Sequence, residues 1–207
     1  MAVDLNDDNS LNEKAVNIWE KNKKNIIFGV ILFVAIYLTT NSYFANQKKS
    51  HFLASEIYQK IQLELEGADI SPFVIELKTE HSNSPYAGRA SLILAQSHSR
   101  NNKIEDALVE LDWVINNSLE QPIRSLALYS KAKLYLMKNE LDKAEKSANL
   151  INSKGYVGLK NFVLGDIYFS KKNNDKALEF YQLAFNFYKN KNDLSKVIKT
   201  KIDAIGL

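Results

Sequence analysis

The most continuous apolar stretch of the chain lies within its first fifty residues. Residues 26–38 are almost entirely apolar, and no charged side chain occurs between Lys24 and Lys48. A helix over residues 26–45 would be about 30 Å long, which matches the roughly 30 Å hydrocarbon core of a bilayer. The pattern therefore predicts a transmembrane helix over residues 26–45, short or tilted because residues 39–42 are polar.

A short apolar run could also be a buried core helix or the apolar part of a cleaved signal peptide. The preceding 25 residues contain five acidic side chains, unlike the short basic leader of a signal peptide. The end of the run lacks a cleavage site, since Tyr43 stands where a small side chain is needed. We therefore favour an uncleaved anchor, with Trp19 on its near side and Tyr37 and Tyr43 on its far side as interface residues.

Helical periodicity continues after the anchor, with few interruptions. The chain contains only three prolines and seven glycines, and apolar residues recur at intervals of three and four. Ser71 and Ser84 each precede a proline, a pattern that is typical of an N-cap followed by the first helical turn. Gly67 is expected to end the helix before them.

An internal repeat becomes visible when the chain is aligned on small residues. Each of three stretches has a small residue in a first helix and an alanine twelve positions later in a second helix, with a polar turn between them. The second stretch follows the first by 37 residues, and the third follows the second by 33. This spacing is typical of the tetratricopeptide repeat, in which antiparallel helix pairs stack. The predicted turns are residues 101–103, 138–140 and 172–174.

Nine residues are predicted to form the contact between the two helices of each pair. The small residues allow the two backbones to approach closely, and the tyrosines fill the space beside them. These predicted repeat-packing residues are Ala95, Ala107, Ala132, Tyr135, Ala144, Gly165, Tyr168, Ala177 and Tyr181.

The sequence thus predicts an all-α protein, in which a single N-terminal transmembrane helix precedes a tetratricopeptide-like α-solenoid of antiparallel helix pairs. We expect an N-terminal tail over residues 1–25, the span over 26–45 and the repeat domain over 46–207. Within the domain, the pattern predicts a degenerate leading helix pair at 46–82, repeats at about 85–118, 122–154 and 156–190, and a capping helix at 193–207.

Charge and cysteine content narrow the function. The 27 Lys and Arg residues nearly balance the 24 Asp and Glu residues, and the net charge of +3 does not favour nucleic-acid binding. The chain has no cysteine, which excludes disulfides, thiolate catalysis and cysteine-based metal sites. His51, His81 and His98 lack the spacing of metal ligands, and no phosphate loop or catalytic motif is recognisable. The sequence therefore predicts no enzyme activity, no cofactor and no metal site.

Aromatic side chains are concentrated between residues 162 and 188. Most are expected in the core of the repeats, but some should face the concave surface, where exposed aromatic rings anchor peptide and protein contacts. The candidates for protein binding are Trp113, Phe185, Phe187 and Tyr188.

Several stretches resemble a known family: residues 17–20, 28–30, 84–96, 155–156, 164–166 and 201–203. These stretches resemble the ancillary subunit of the bacterial SecYEG translocon (YfgM type), and the resemblance covers nearly the whole chain. The resemblance implies a bacterial inner-membrane protein, without enzyme activity, whose C-terminal domain lies in the periplasm. It also implies association with the translocon, with exported proteins and with a membrane-anchored periplasmic chaperone of the PpiD type.

Charge around the span favours a cytoplasmic N-terminus by a small margin. Lys21, Lys23 and Lys24 precede the span, whereas Lys48 and Lys49 follow it. We expect a non-enzymatic protein-interaction subunit of the SecYEG translocon that links translocating proteins to periplasmic chaperones. The alternative is a membrane-anchored tetratricopeptide scaffold for another cell-envelope assembly. An enzyme would require a cluster of polar residues that converge in a pocket.

Overall fold

The computed structural model describes residues 6–63, 69–189 and 193–206. Every regular element among these residues is a helix, which confirms the predicted all-α class. A 3₁₀ turn at Lys154–Tyr156 precedes the seventh helix. The helices are α1 (Asn6–Leu63), α2 (Ser71–Glu80), α3 (Pro85–Arg100), α4 (Ile104–Asn117), α5 (Gln121–Met137), α6 (Leu141–Asn149), α7 (Val157–Ser170), α8 (Asn174–Tyr188) and α9 (Leu194–Ile205).

Helix α1 is much longer than the predicted span. It is continuous from Asn6 to Leu63, because this part of the chain contains no proline and only one glycine, Gly29. Its large apolar side chains between residues 26 and 44 are exposed. Among the described residues, α1 is the one helix that is long and apolar enough to cross a membrane. These features fit a single-pass membrane protein.

The polar residues near the end of the apolar stretch are accommodated within the helix. The Thr39 hydroxyl donates to the carbonyl oxygen of Ala35 at 2.9 Å, and the Thr40 hydroxyl donates to that of Ile36 at 2.8 Å. Since both hydroxyl donors are satisfied by the helix itself, the two threonines are compatible with a hydrocarbon environment.

The chain divides into two compact units, residues 1–49 and residues 50–207. In the second unit, α3 pairs with α4, α5 with α6, and α7 with α8. Three residues join the helices of each pair, and such a short connection makes the two helices antiparallel. Contacts of α4 with α5 and of α6 with α7 stack successive pairs, as in helical repeats, and α9 packs on α8.

The end of α1 belongs to this second unit. Ala54, Ile57 and Ile61 are buried in one hydrophobic cluster with residues of α2 and α3, including Val74 and Leu77. The apolar stripe that follows the membrane-compatible segment therefore contributes to the core of the helical domain.

The turn inside each pair has the same backbone structure. Asn102, Asn139 and Lys172 lie at φ angles of 59°, 58° and 59°. In each turn the next backbone N–H donates to a carbonyl oxygen five residues back, at 2.8 or 2.9 Å. This is the Schellman motif, in which a left-handed residue ends a helix. The third turn covers residues 171–173 and not the predicted 172–174, because it keeps the 33-residue spacing of the small residues.

The helix starts agree only in part with the predicted caps. Ser84 precedes α3, as predicted. The prediction of Ser71 as an N-cap is wrong by one position, since Ser71 is already the first residue of α2. Its backbone N–H donates to Oδ1 of Asp69 at 3.0 Å, so the Asp69 carboxylate satisfies a donor that the helix leaves free. Gly67 lies outside the described residues.

Candidate protein-binding groove

A groove of about 600 Å³ lies between α3 and α5, the first helices of two successive pairs. This volume falls within the range of known ligand sites, roughly 300–1,000 Å³. Ala95, Leu111 and Leu134 line its inner part and are almost completely buried. Tyr58 also lines the groove, and its ring lies 5.3 Å from that of Tyr86.

The two walls arise from the periodicity of the helices. Residues at intervals of three and four share one face of a helix, and one such face of α3 and one of α5 border the groove. The α3 wall consists of Arg89, Leu92, Ile93, Gln96, Ser99 and Arg100. The α5 wall consists of Ile123, Leu126, Ser130, Lys133, Leu134 and Met137.

The charged side chains that line the groove are all positive. The side chains that line it include Arg89, Arg100 and Lys133 but no Asp or Glu from the described part of the chain. Arg89 is already neutralised, because its Nη2 lies 2.7 Å from Oε1 of Glu120. Arg100 and Lys133 are exposed and form no ion pair with any described residue, and the Nζ of Lys133 lies 5.6 Å from the ring centroid of Tyr129. The groove is therefore apolar, with two uncompensated cations.

Tyr129 lines the groove and also packs against the core cluster that contains Ala132 and Leu164. Burial, reinforced by the nearby Asp166 carboxylate, raises the pKa of the Tyr129 hydroxyl to about 12. The hydroxyl therefore stays protonated at physiological pH and remains able to donate a hydrogen bond.

A polar network closes the third pair beneath α9. Oδ1 of Asp166 accepts hydrogen bonds from the Tyr181 hydroxyl at 2.6 Å and from the Lys201 Nζ at 2.7 Å. Burial and the bond to Asp166 raise the pKa of Tyr181 above its usual range. The network joins residues 164–166 to residues 201–203, two of the stretches that carry the family resemblance. Lys201 compensates the Asp166 charge and fixes α9 to α7.

The nine predicted repeat-packing residues differ in burial, and their packing role stays a prediction. Tyr135 and Tyr168 are half-buried. The remaining seven are buried: Ala95, Ala107, Ala132, Ala144, Gly165, Ala177 and Tyr181.

The four predicted protein-binding aromatics lie outside the groove. Trp113 is half-buried beside the first two core clusters, with the Lys78 Nζ 5.2 Å from its ring. Phe185 and Phe187 are half-buried and Tyr188 is buried where α8 meets α9. Their packing inside the domain leaves little ring surface for a partner, and their binding role stays a prediction.

The residues that form the groove were not predicted from the sequence. Arg89, Leu92, Gln96 and Arg100 follow one another at intervals of three and four, which is the available signal for a second face on α3. That face lies next to the small-residue face used to detect the repeat. This face of α3 borders a groove only because α5 stacks beside α3.

The histidines lie apart from the groove. Nδ1 of His81 lies 2.7 Å from the Ser50 hydroxyl. Within residues 6–63, 69–189 and 193–206, no three His, Asp or Glu side chains converge as metal ligands would.

Comparisons with known proteins agree with this architecture. The sequence profile described as tetratricopeptide repeat-like domain matches residues 17–207. A relative from Buchnera aphidicola subsp. Acyrthosiphon pisum (strain APS), named "Ancillary SecYEG translocon subunit", is 24% identical over 191 residues, which cover 88% of this chain and 95% of the relative. A relative of the same name from Neisseria gonorrhoeae (strain ATCC 700825 / FA 1090) is 22% identical over 160 residues, or 77% and 76% of the two chains. No solved structure matches the chain.

Proposed function

Since this chain belongs to the tetratricopeptide repeat-like domain family, we propose that it acts as a non-enzymatic protein-interaction subunit of the SecYEG translocon. The observation that carries the proposal is the match, over nearly the whole length of both proteins, to a relative named as an ancillary subunit of that translocon. The long apolar helix and the stacked helix pairs suit this role, because one anchors the protein and the other offers binding surface.

The membrane topology is part of the proposal. Residues 1–25 form a cytoplasmic tail, residues 26–45 the span, and residues 46–207 a periplasmic domain. The support is the larger number of lysines before the span, at positions 21, 23 and 24. Protease added to spheroplasts should degrade the domain and leave a short membrane-protected fragment, whereas a protected domain would reverse the topology.

The partners in the periplasm are exported proteins that leave the translocon and a membrane-anchored chaperone of the PpiD type. The α3/α5 groove provides the surface for one of them. Anchoring next to the translocon raises the effective concentration of both partners, so that weak contacts at the groove suffice.

Crosslinking in living cells tests this function. The full-length chain, crosslinked and purified from membranes, should carry translocon subunits and the periplasmic chaperone with it. The control is α1 through residue 49 fused to an unrelated soluble domain, which should lose the chaperone. Recovery of a different envelope assembly, without translocon subunits, would replace the proposal with a scaffold role elsewhere.

A further inference from the structure

We propose that the α3/α5 groove selects partner segments that combine apolar and acidic side chains, and that Arg100 and Lys133 bind the carboxylates. This inference rests on the proposed function and adds the chemistry of the partner segment.

The apolar part of the partner is indicated by the exposed apolar side chains of the groove. Leu92 and Ile93 of α3 face Leu126 of α5 across it and are only partly buried. Met137, at the end of the α5 wall, remains 70% exposed. Covering such surface removes apolar area from water, which is favourable. A flexible methionine at the rim also adapts to side chains of different shape.

The acidic part is indicated by the charge of the walls. Arg100 ends α3 and Lys133 lies one turn before the end of α5, so the two cations stand on opposite walls. Neither has an ion-pair partner among the described residues, whereas Arg89 is occupied by Glu120. A carboxylate between the walls would meet uncompensated positive charge, and a lysine there would be repelled. The charge complementarity of the groove therefore selects against basic segments.

The position of the cations gives the bound segment a direction. Because α3 and α5 are both first helices of stacked pairs, they run parallel, and Arg100, Lys133 and Met137 share one end of the groove. Tyr58 and Arg89 are distant from that end. A bound segment should place its carboxylates at the Arg100 end and its apolar side chains along Leu92 and Leu126.

Binding of defined peptides to the full chain in nanodiscs of zwitterionic lipid tests the inference. The α3 wall from Arg89 to Arg100 is roughly 16 Å long, which a helical peptide of about twelve residues would span. The fluorescent probe is therefore such a peptide, with leucines at helical spacing and glutamates at the other positions. Two control peptides of the same length carry glutamine or lysine in place of every glutamate. Anisotropy should show about three- to tenfold tighter binding of the glutamate peptide than of the glutamine peptide. The lysine peptide should bind most weakly, and the differences should shrink as salt is added.

The variants assign this selectivity to residues. Arg100→Gln with Lys133→Gln should abolish the preference for glutamate over glutamine while binding of the glutamine peptide persists. The matched control, Lys146→Gln with Lys154→Gln, changes the net charge equally at exposed positions outside the groove and should keep the preference. Circular dichroism should show unchanged helicity in both. Equal binding of all three peptides, or selectivity that survives in the Arg100/Lys133 variant, would overturn the inference.

The test separates this inference from the proposed function. If the Arg100/Lys133 variant still co-purifies with the translocon but the wild type shows no peptide selectivity, the groove chemistry is wrong and the function stands. If the wild type selects acidic peptides but recovers no translocon subunit from cells, the function is wrong and the groove chemistry stands.

Discussion

At the scale of single residues, close packing of α7 against α8 requires that Gly165 has no side chain. A Cβ atom built on Gly165 would lie 2.4 Å from a ring carbon of Tyr181. Tyr181 is 1% exposed, and Asp166 holds its hydroxyl, so the ring has no free space to move into. The corresponding partners in the earlier pairs are smaller, Leu111 opposite Ala95 and Ala148 opposite Ala132. A tyrosine at this position therefore requires glycine in the facing helix.

Gly165→Ala should destabilise the domain by up to about 2 kcal/mol net, because overpacking usually costs about 1–3 kcal/mol. This outweighs the gain of about 1 kcal/mol in helix propensity. The measurement is thermal unfolding of the full chain followed by circular dichroism. Gly155→Ala is the control, since no atom lies within 4 Å of its added Cβ, and it should leave the melting temperature nearly unchanged. Equal effects of the two substitutions would contradict this account.

Lys172→Gly should stabilise the domain by about 1 kcal/mol, because lysine at φ 59° bears the left-handed cost that glycine lacks. Asn139→Gly should give a smaller gain, since asparagine tolerates this region better than lysine does. Lys146→Gly, at an exposed position inside α6, should instead destabilise by about 1 kcal/mol. The same melting experiment checks all three, and destabilisation by Lys172→Gly would show that the turn has another conformation.

At the scale of helices, ion pairs connect each helix pair to the next at equivalent positions. Lys138, after α5, lies 2.5 Å from a carboxylate oxygen of Glu105, and Lys171, after α7, lies 2.7 Å from one of Asp142. The lysines are 33 residues apart and the carboxylates 37 apart, which are the two spacings of the repeat. Lys171 also pairs with Glu145 at 2.7 Å. The repeat is thus marked by charge as well as by small residues.

Glu145 should make the stability depend on pH. Hydrogen bonds from the Lys171 Nζ and the Tyr168 hydroxyl hold the pKa of this carboxyl below its usual range. A carboxyl whose pKa is lower in the folded state stabilises above its unfolded pKa of about 4.3, and this stabilisation is lost as the pH falls through the folded pKa. Glu145→Gln should lower the melting temperature by about 2–4 °C at pH 7, and the difference should narrow below about pH 4.

The control for this experiment is Glu76→Gln, at an exposed position of α2 without an ion pair among the described residues. It should leave the melting temperature unchanged at both pH values. A Glu145→Gln deficit that stays constant from pH 7 to below pH 4 would show that the carboxylate charge is not its cause.

The sequence allowed the helix pairs to be predicted but not the groove. Ala95, Ala132 and Gly165 are buried, and their positions follow from local periodicity. The groove requires side chains of α3 and α5 to face each other, which depends on how pairs stack. The sequence did not predict that α1 is continuous from Asn6 to Leu63. The apolar stretch identifies the part of the helix that fits a bilayer, but it does not show where the helix begins or ends. Aromatic content indicated Tyr188 as a binding residue; the structure buries it in the cluster beneath α9, and its binding role stays a prediction.

At the scale of the whole molecule, a membrane-compatible helix and a domain of stacked pairs occur in one chain. The resemblance to ancillary subunits of the SecYEG translocon, first indicated by short stretches such as residues 164–166, is confirmed by two relatives of that name and by the tetratricopeptide repeat-like match.

Charge placed within the apolar stretch should abolish anchoring. Val30→Arg with Val34→Arg should cost about 5–7 kcal/mol of insertion free energy, which the short apolar run does not offset. Fractionation after an alkaline wash should find this variant in the supernatant and the wild type in the membrane pellet. Val16→Arg with Asn17→Arg, outside the stretch, should remain in the pellet. Retention of the Val30/Val34 variant would place the anchor elsewhere.

The position of α9 has a consequence for the order in which the domain matures. Ile198 is fully buried against Tyr181 and Ala184, and Lys201 neutralises Asp166. Both residues lie in α9, which follows the third pair in the chain, so they are synthesised after it. The first two pairs can fold before α9 is made, whereas the third keeps an uncovered apolar face until α9 packs on α8. The interval before α9 packs is therefore the one in which a nascent copy of this protein exposes the apolar face of its third pair.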